Sequence, residues 1–134
     1  SILAVRDAGR VHALTVSAFV PVSVEPPLVL ASLGPNAAAL PYLEPDVPFA
    51  ISLLTATQQP LASRYADSFP VGPSPFPDTG APVVEGALAS LTCAVEEMMQ
   101  RGDHTLVIGR VDAAREGPDS DALIYFQREY HSVG

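Results

Sequence analysis

Short apolar stretches alternate with Gly- and Pro-rich turns along the whole chain, the pattern of a mostly-β barrel or sandwich. Residues 11–24 are the most informative segment. Its even positions from Leu14 onward, namely Leu14, Val16, Ala18, Val20, Val22 and Val24, are all apolar, while Thr15, Ser17 and Ser23 fall at odd positions. A period of two puts these sets on opposite faces, predicting one core face and one small, partly polar face. Pro21 cannot donate a ladder hydrogen bond, so the strand is expected to bend, bulge or reach an edge there.

Leu28–Leu33 and residues 49–54 read as buried strands, both short, apolar and bounded by proline. Between them, Asn36 is placed to cap a short helical turn through residues 37–40. Residues 57–69 read as a helix, with Thr57 as N-cap, Pro60 in the tolerant first turn, and Leu61, Tyr65 and Phe69 on one face. Residues 70–82 form a Pro- and Gly-rich loop, a candidate lid or dimer-contact segment. Residues 88–95, 105–111 and 123–126 supply three more strands, with Arg101-Gly102-Asp103 turning between the first two and residues 116–121 separating the second from the third. The tally is six or seven strands with one or two short helices, and a small barrel is the closure that leaves few exposed edges.

At 134 residues the chain fits one domain, long enough to bury a core without disulfides or a metal. With 48% apolar and 16% charged residues the composition is globular. The longest apolar runs, such as residues 26–33, are too short to cross a bilayer, and no secretory signal is visible. Together with a lone Cys93 that has no internal disulfide partner, this predicts a cytoplasmic protein. The formal net charge of −8 argues against a nucleic-acid or anionic-membrane partner. All seven basic side chains are arginines, which removes Schiff-base lysine, P-loop and the usual pyridoxal-phosphate chemistry. An anionic cofactor would have to be met by arginines, hydroxyls and backbone N–H groups. His12, His131 and Cys93 have no zinc spacing, and Cys93 reads as a buried thiol in an apolar strand. No nucleophile elbow or dinucleotide Gly-rich loop is present.

The stretch Ala13-Leu14-Thr15-Val16-Ser17-Ala18-Phe19, followed by Val22-Ser23 and Pro26-Pro27-Leu28-Val29, resembles the opening signature of the flavin reductase-like domain. That family includes the small reductase components of two-component flavin monooxygenases. Four later segments follow in the same order. They are residues 58–66 (a Gln, then a Leu-Ala-x-Arg helix), Glu85-Gly86-Ala87-Leu88-Ala89-Ser90-Leu91, Gly102-Asp103-His104-Thr105 with Gly109-x-Val111, and Leu123-Ile124-Tyr125-Phe126 with Tyr130. The resemblance covers nearly the whole chain.

It implies an FMN-binding split β-barrel with one or two short helices, working as a homodimer that encloses FMN (or FAD) near the subunit interface. NADH or NADPH would be the hydride donor, and an oxygenase component a possible recipient of reduced flavin. By the resemblance, Thr15, Val16, Ser17 and Ala18 line the isoalloxazine, and Ser32, Leu33 and Asn36 lie near the ribityl phosphate. His104 sits near the nicotinamide as the catalytic candidate, with Asp103 fixing the turn or the imidazole; on the residues alone, such a pair is more often a local structural hydrogen bond. Gln58 either touches flavin or caps its helix. Arg64, Arg101 and Arg128 are candidates for phosphate contact or ordinary surface arginines. Relatives begin with a further helix and the first part of a strand, whereas this sequence opens inside that strand. Relatives also place a phosphate-binding Ser and Thr at what are here Ala37 and Ala39. The exchange removes two hydroxyl donors, each worth about 1 kcal/mol, and leaves backbone N–H groups to hold the phosphate. Two other readings stand beside the reductase: a non-catalytic FMN-binding electron carrier of the same fold, and a structural dimer without ligand.

Overall fold

The computed structural model describes residues 1–67, 69–126 and 129–133, the side chains of 124–126, 129 and 133 excepted. Among the described residues the strands are β1 (Ile2–Asp7), β2 (Arg10–Thr15), β3 (Phe19–Ser23), β4 (Leu28–Leu33), β5 (Pro48–Leu53), β6 (Ala89–Arg101), β7 (His104–Glu116), β8 (Ala122–Phe126) and β9 (Glu129–Val133). One short helix, α1 (Gln59–Tyr65), and 3-10 turns at Leu40–Tyr42 and Ala56–Gln58 complete the list. The mostly-β expectation holds, with strands added at both ends of the sequence-based tally.

Seven strands form one antiparallel sheet in the order β2-β1-β5-β6-β7-β4-β3, and β8 pairs with β9. The two edge strands, β2 and β3, are consecutive in the chain and joined only by residues 16–18. Laid flat at about 4.8 Å per step, they would stand about 29 Å apart. The link from Thr15 to Phe19 spans at most about 15 Å. The sheet must therefore roll until its edges meet, and a hydrogen bond from Ser32 N–H to Ala18 O at 3.0 Å fastens the seam on the β4 side.

The roll buries β1 and β5 on both faces. From β1, Leu3 and Val5 enter a cluster with Val29, Leu33, Phe49, Ile51, Val95 and Val107. The alternate residues Ile2 and Ala4 enter a second cluster with Ala13, Leu54, Ala62, Phe76 and Val84. Strands buried on both faces read as continuous apolar runs, which is why Ile2-Leu3-Ala4-Val5 carries no alternation. On β5, Ser52 is buried, and its hydroxyl accepts a hydrogen bond from Val84 N–H at 2.9 Å. That bond ties the end of the 70–82 loop to the sheet.

Four local expectations are corrected. Residues 11–24 do not form one strand: the ladder breaks at 16–18, and the core face changes parity there. Leu14 and Val16 face the first cluster, but beyond the break Phe19 does so, while Val20 and Val22 are exposed. A shift of one residue moves the whole apolar set to the other face. The expected helix over residues 57–69 starts through Thr55 and ends at Tyr65; Phe69, before Pro70, is disfavoured in helical backbone and is exposed. The turn expected at 37–40 is present, closed by Leu40 N–H to Ala37 O at 3.1 Å, and runs on into a 3-10 turn at Leu40–Tyr42 with Pro41 pre-setting its first positions, but Asn36 makes no cap. The strands expected at 88–95 and 105–111 run on as the 13-residue β6 and β7.

Candidate functional site

Where the rolled edges meet, small residues leave a groove. The break between β2 and β3 places Val16 and Ser17 in its wall, and α1 lies alongside. A hydrogen bond from the Thr15 hydroxyl to Ala62 O at 2.6 Å holds α1 against β2. The larger part of the groove is a cleft of about 470 Å³ lined by Ser1, Thr15, Val16, Ser17, Ala62, Ala66, Leu123 and Tyr130. Thr15 and Ala66 also line a neighbouring cleft of about 190 Å³, with Asn36, Ala37, Ala38 and Tyr65. The two are parts of one groove along β2 and α1.

The groove is supplied with backbone donors more than with side-chain ones. Val16 N–H is used by Ser1 O at 2.8 Å. Among the described residues, the N–H groups of Ser17 and Ala18 meet no acceptor, and neither do those of Asn36 and Ala38. Thr15 donates its hydroxyl proton to Ala62 O, so toward a ligand that oxygen can only accept. Of these residues Ser17 lines the wide cleft and Asn36 and Ala38 the narrow one, whereas Ala18 lines neither.

The remaining expected residues fall around this groove or away from it. Ser32 is half-buried in the β4–β7 ladder opposite Leu106, and Leu33 is fully buried, so Leu33 can offer only main chain. Gln58 is occupied locally: its Oε1 accepts from Thr55 N–H and its Nε2 donates to Glu85 O, both at 3.0 Å. Of the two roles open to Gln58, the structure shows capping. Arg64 turns from the groove to the 70–82 loop, where Nη2 donates to Pro73 O at 2.8 Å and to the Tyr65 hydroxyl at 3.2 Å. Ala39 is wholly buried, whereas Ala37 and the exposed Ala38 line the groove. Arg128 lies outside the described residues.

His104 lines neither cleft. It closes the β6–β7 hairpin opposite Arg101, a two-residue turn whose first central residue, Gly102, has φ +60°, the backbone that Gly supplies in a type II′ turn. The imidazole is exposed, with Nδ1 2.8 Å from Asp103 Oδ1. The hydrogen bond from His104, and next its charge, hold the Asp103 carboxyl below the usual aspartate range. A carboxylate on Nδ1 fixes a proton there and leaves Nε2 to face outward. Nε2 lies over Gly34, 3.9 Å from where a β-carbon on that residue would stand. The geometry thus gives a groove walled by β2 and α1, with an oriented imidazole outside it, over Gly34.

Sequence reasoning missed Ala62, Ala66, Leu123 and Tyr130 as groove residues. The alanines, four apart with Ala62 on α1 and Ala66 at its C-cap, carry the signal of a small-residue helix face. Nothing local marks Leu123 and Tyr130, which reach the groove through the β8–β9 pairing.

The comparisons agree with this architecture. The chain matches the flavin reductase like domain over residues 1–134, and it belongs to that family. It is 33% identical to the reductase component of 4-hydroxyphenylacetate 3-monooxygenase from Thermus thermophilus, over 99% of this chain and 87% of that protein. The flavin reductase PheA2 superposes with a TM-score of 0.88 at 33% identity, covering 99% of this chain and 88% of its own. The Streptomyces globisporus NADH:FAD oxidoreductase SgcE6, solved in complex with NAD and FAD fragments, gives 0.84 at 29% identity, covering 99% and 83%.

Proposed function

We infer that this protein is an NAD(P)H-dependent flavin reductase whose groove along β2 and α1 receives the flavin. The observation that carries the reading is the groove itself: a space walled by Thr15, Val16, Ser17, Ala62 and Ala66, with open backbone N–H groups at Ser17 and, in the narrow cleft, at Asn36 and Ala38. Small side chains let a planar ring approach the main chain, and N–H groups suit ring atoms that become electron-rich on reduction. At the narrow end, the N–H groups of Asn36 and Ala38 supply a phosphate with the donors that hydroxyls at 37 and 39 would otherwise give. Bound there, a flavin would accept a hydride at N5 from a reduced nicotinamide. The chain's own task is positioning: Ser17 and Ala18 orient the ring, Asn36 and Ala38 hold the phosphate, and His104, aligned by Asp103, orients the nicotinamide.

The rolled sheet is read as the family's split barrel. A second copy would cover the outer face of β6 and β7, where a shallow apolar cleft of about 380 Å³ includes Pro77, Ala81, Val83, Thr92 and Ala113. The lone buried Cys93 and the need for reduced nicotinamide fit a cytoplasmic reaction. A backbone-only phosphate site favours a flavin that leaves after reduction, available to an oxygenase component.

The test is an FMN titration of the protein, followed by NADH and NADPH oxidation with and without added FMN. Oxidation should depend on flavin, and His104→Ala should lower kcat/KM on the order of 10- to 100-fold, the scale of lost positioning. Stoichiometric FMN binding without turnover would replace the reductase with an electron carrier. Absence of flavin binding would leave a structural dimer.

A further inference from the structure

The hairpin tip at residues 101–104 carries a cation that the proposed function leaves unused. Among the described residues, Arg6 donates to the carbonyl oxygens of Pro77, Asp78 and Gly80, Arg64 is turned to Pro73, and Arg110 lies between Glu96 and Asp112. Arg101 instead, like Arg10 and Arg115, is exposed and meets no carboxylate among the described residues. Its guanidinium reaches only Gln100 O at 2.8 Å and the Met99 sulfur at 3.8 Å.

Its placement is specific. Arg101 stands directly opposite His104 in the β6–β7 ladder, so their side chains share one face. On the next strand the β4 register, Leu33 opposite Thr105, runs on to Gly34, over which His104 Nε2 lies. Arginine, imidazole and a side-chain-free glycine therefore form a row across three strands, and two residues beyond Gly34 the chain reaches Asn36, the first of the open N–H groups at the narrow cleft. Arg101 is two strands from Gly34, about 10 Å, too far to share the phosphate held at 36–38. Arg10, the other arginine in a hairpin turn, lies three strands away on β2, opposite Asp7.

We propose that Arg101 binds a phosphate of the nicotinamide dinucleotide, so that the hairpin tip fixes the cofactor's adenylate side while His104 orients its nicotinamide. The proposal rests on the reductase reading for the nature of the ligand. In a chain of formal charge −8 an anionic dinucleotide approaches a surface of its own sign, and a local cation decides where it settles. The chemistry recognised is a nucleotide phosphate: the pyrophosphate shared by NADH and NADPH, or the 2′-phosphate of NADPH alone.

Calorimetric titration with NAD⁺ and NADP⁺, beside KM for NADH, NADPH and FMN, tests this on the full chain. Arg101→Ala should weaken dinucleotide binding about tenfold, raise the dinucleotide KM more than it lowers kcat, and leave the FMN affinity in place. Arg101→Lys should recover most of the loss and Arg10→Ala should show none. An equal loss for both dinucleotides assigns the pyrophosphate; a loss for NADP⁺ alone assigns the 2′-phosphate. Unchanged binding of both in Arg101→Ala, a loss confined to FMN, or no dinucleotide binding by the parent protein would overturn the proposal. Absence of flavin-dependent turnover with the Arg101 effect on binding intact would instead overturn the reductase reading alone.

Discussion

Single residues here are often committed to architecture where their chemistry suggests reactivity. Cys93 is the clearest case. It is 1% exposed on β6, and burial, with a smaller push from the Asp112 charge, raises its thiol to about 12. At pH 8 the thiol remains protonated and is no nucleophile. A maleimide or disulfide reagent should leave the native protein unlabelled for hours and label one site at once in denaturant; rapid native labelling would mean that β6 opens locally. Gln58 and Arg64 show the same commitment, since both act on neighbouring backbone and neither lines the groove. The sequence showed their type and spacing but not their aim, because aim follows from which loop lies within reach.

At the scale of the element, β7 shows how a strand glycine can be a packing requirement. Gly109 is buried in mid-strand, and a β-carbon there would lie 2.6 Å from Phe49 Cζ and 3.3 Å from Cys93 Cβ. Phe49 is itself 2% exposed and cannot swing clear. Gly109→Ala should therefore destabilise the protein by about 1–3 kcal/mol, the usual cost of overpacking a core. Equilibrium denaturation checks this, and Phe49→Leu in the same chain should recover part of the loss. If Gly109→Ala matches the parent, the β5–β7 contact is looser than described. Strands β2 and β3 teach a different lesson. Alternation gave the correct core face at Leu14 and Val16, and the opposite one at Val20 and Val22, because the rolled sheet changes edge between them. Pattern reading assumes a continuous pleat, and a three-residue seam breaks that assumption.

For the whole molecule, the 70–82 loop is held by two arginines from different parts of the chain. Arg6 on β1 clasps residues 77–80 through three carbonyls at 2.7–3.2 Å, and Arg64 on α1 holds Pro73. Phe76 and Val84 then pack into the cluster that contains Ala62, the helix residue to which Thr15 is bonded. The loop thus supports the back of the groove wall. Arg6→Met should raise amide exchange across residues 77–82 with little change in β6 and β7, since backbone no longer tied down opens locally before the sheet does. Hydrogen exchange by mass spectrometry reads this out, and unchanged loop protection would show that apolar packing alone fixes the segment.

The sequence by itself determined the mostly-β class, the positions of β4 and β5, the hairpin turn at Gly102-Asp103 and the family, because each is written in local pattern, turn chemistry or an ordered run of motifs. Through the family resemblance and not through spacing, it also pointed to Thr15, Val16, Ser17 and Asn36, which line the two adjoining clefts, and to Ala18, Gln58 and Arg64, which line neither. The tertiary structure alone decided that β1 is buried on both faces, that the core face reverses at residues 16–18, and that Arg6 and Arg64 serve the loop. It alone brought Leu123 and Tyr130 to Thr15 and set Gly34, His104 and Arg101 in one row. The physical reason is common to all of these: each depends on how far the sheet rolls and which distant strands become neighbours, and strand pairing across the chain leaves no trace in the local period of two.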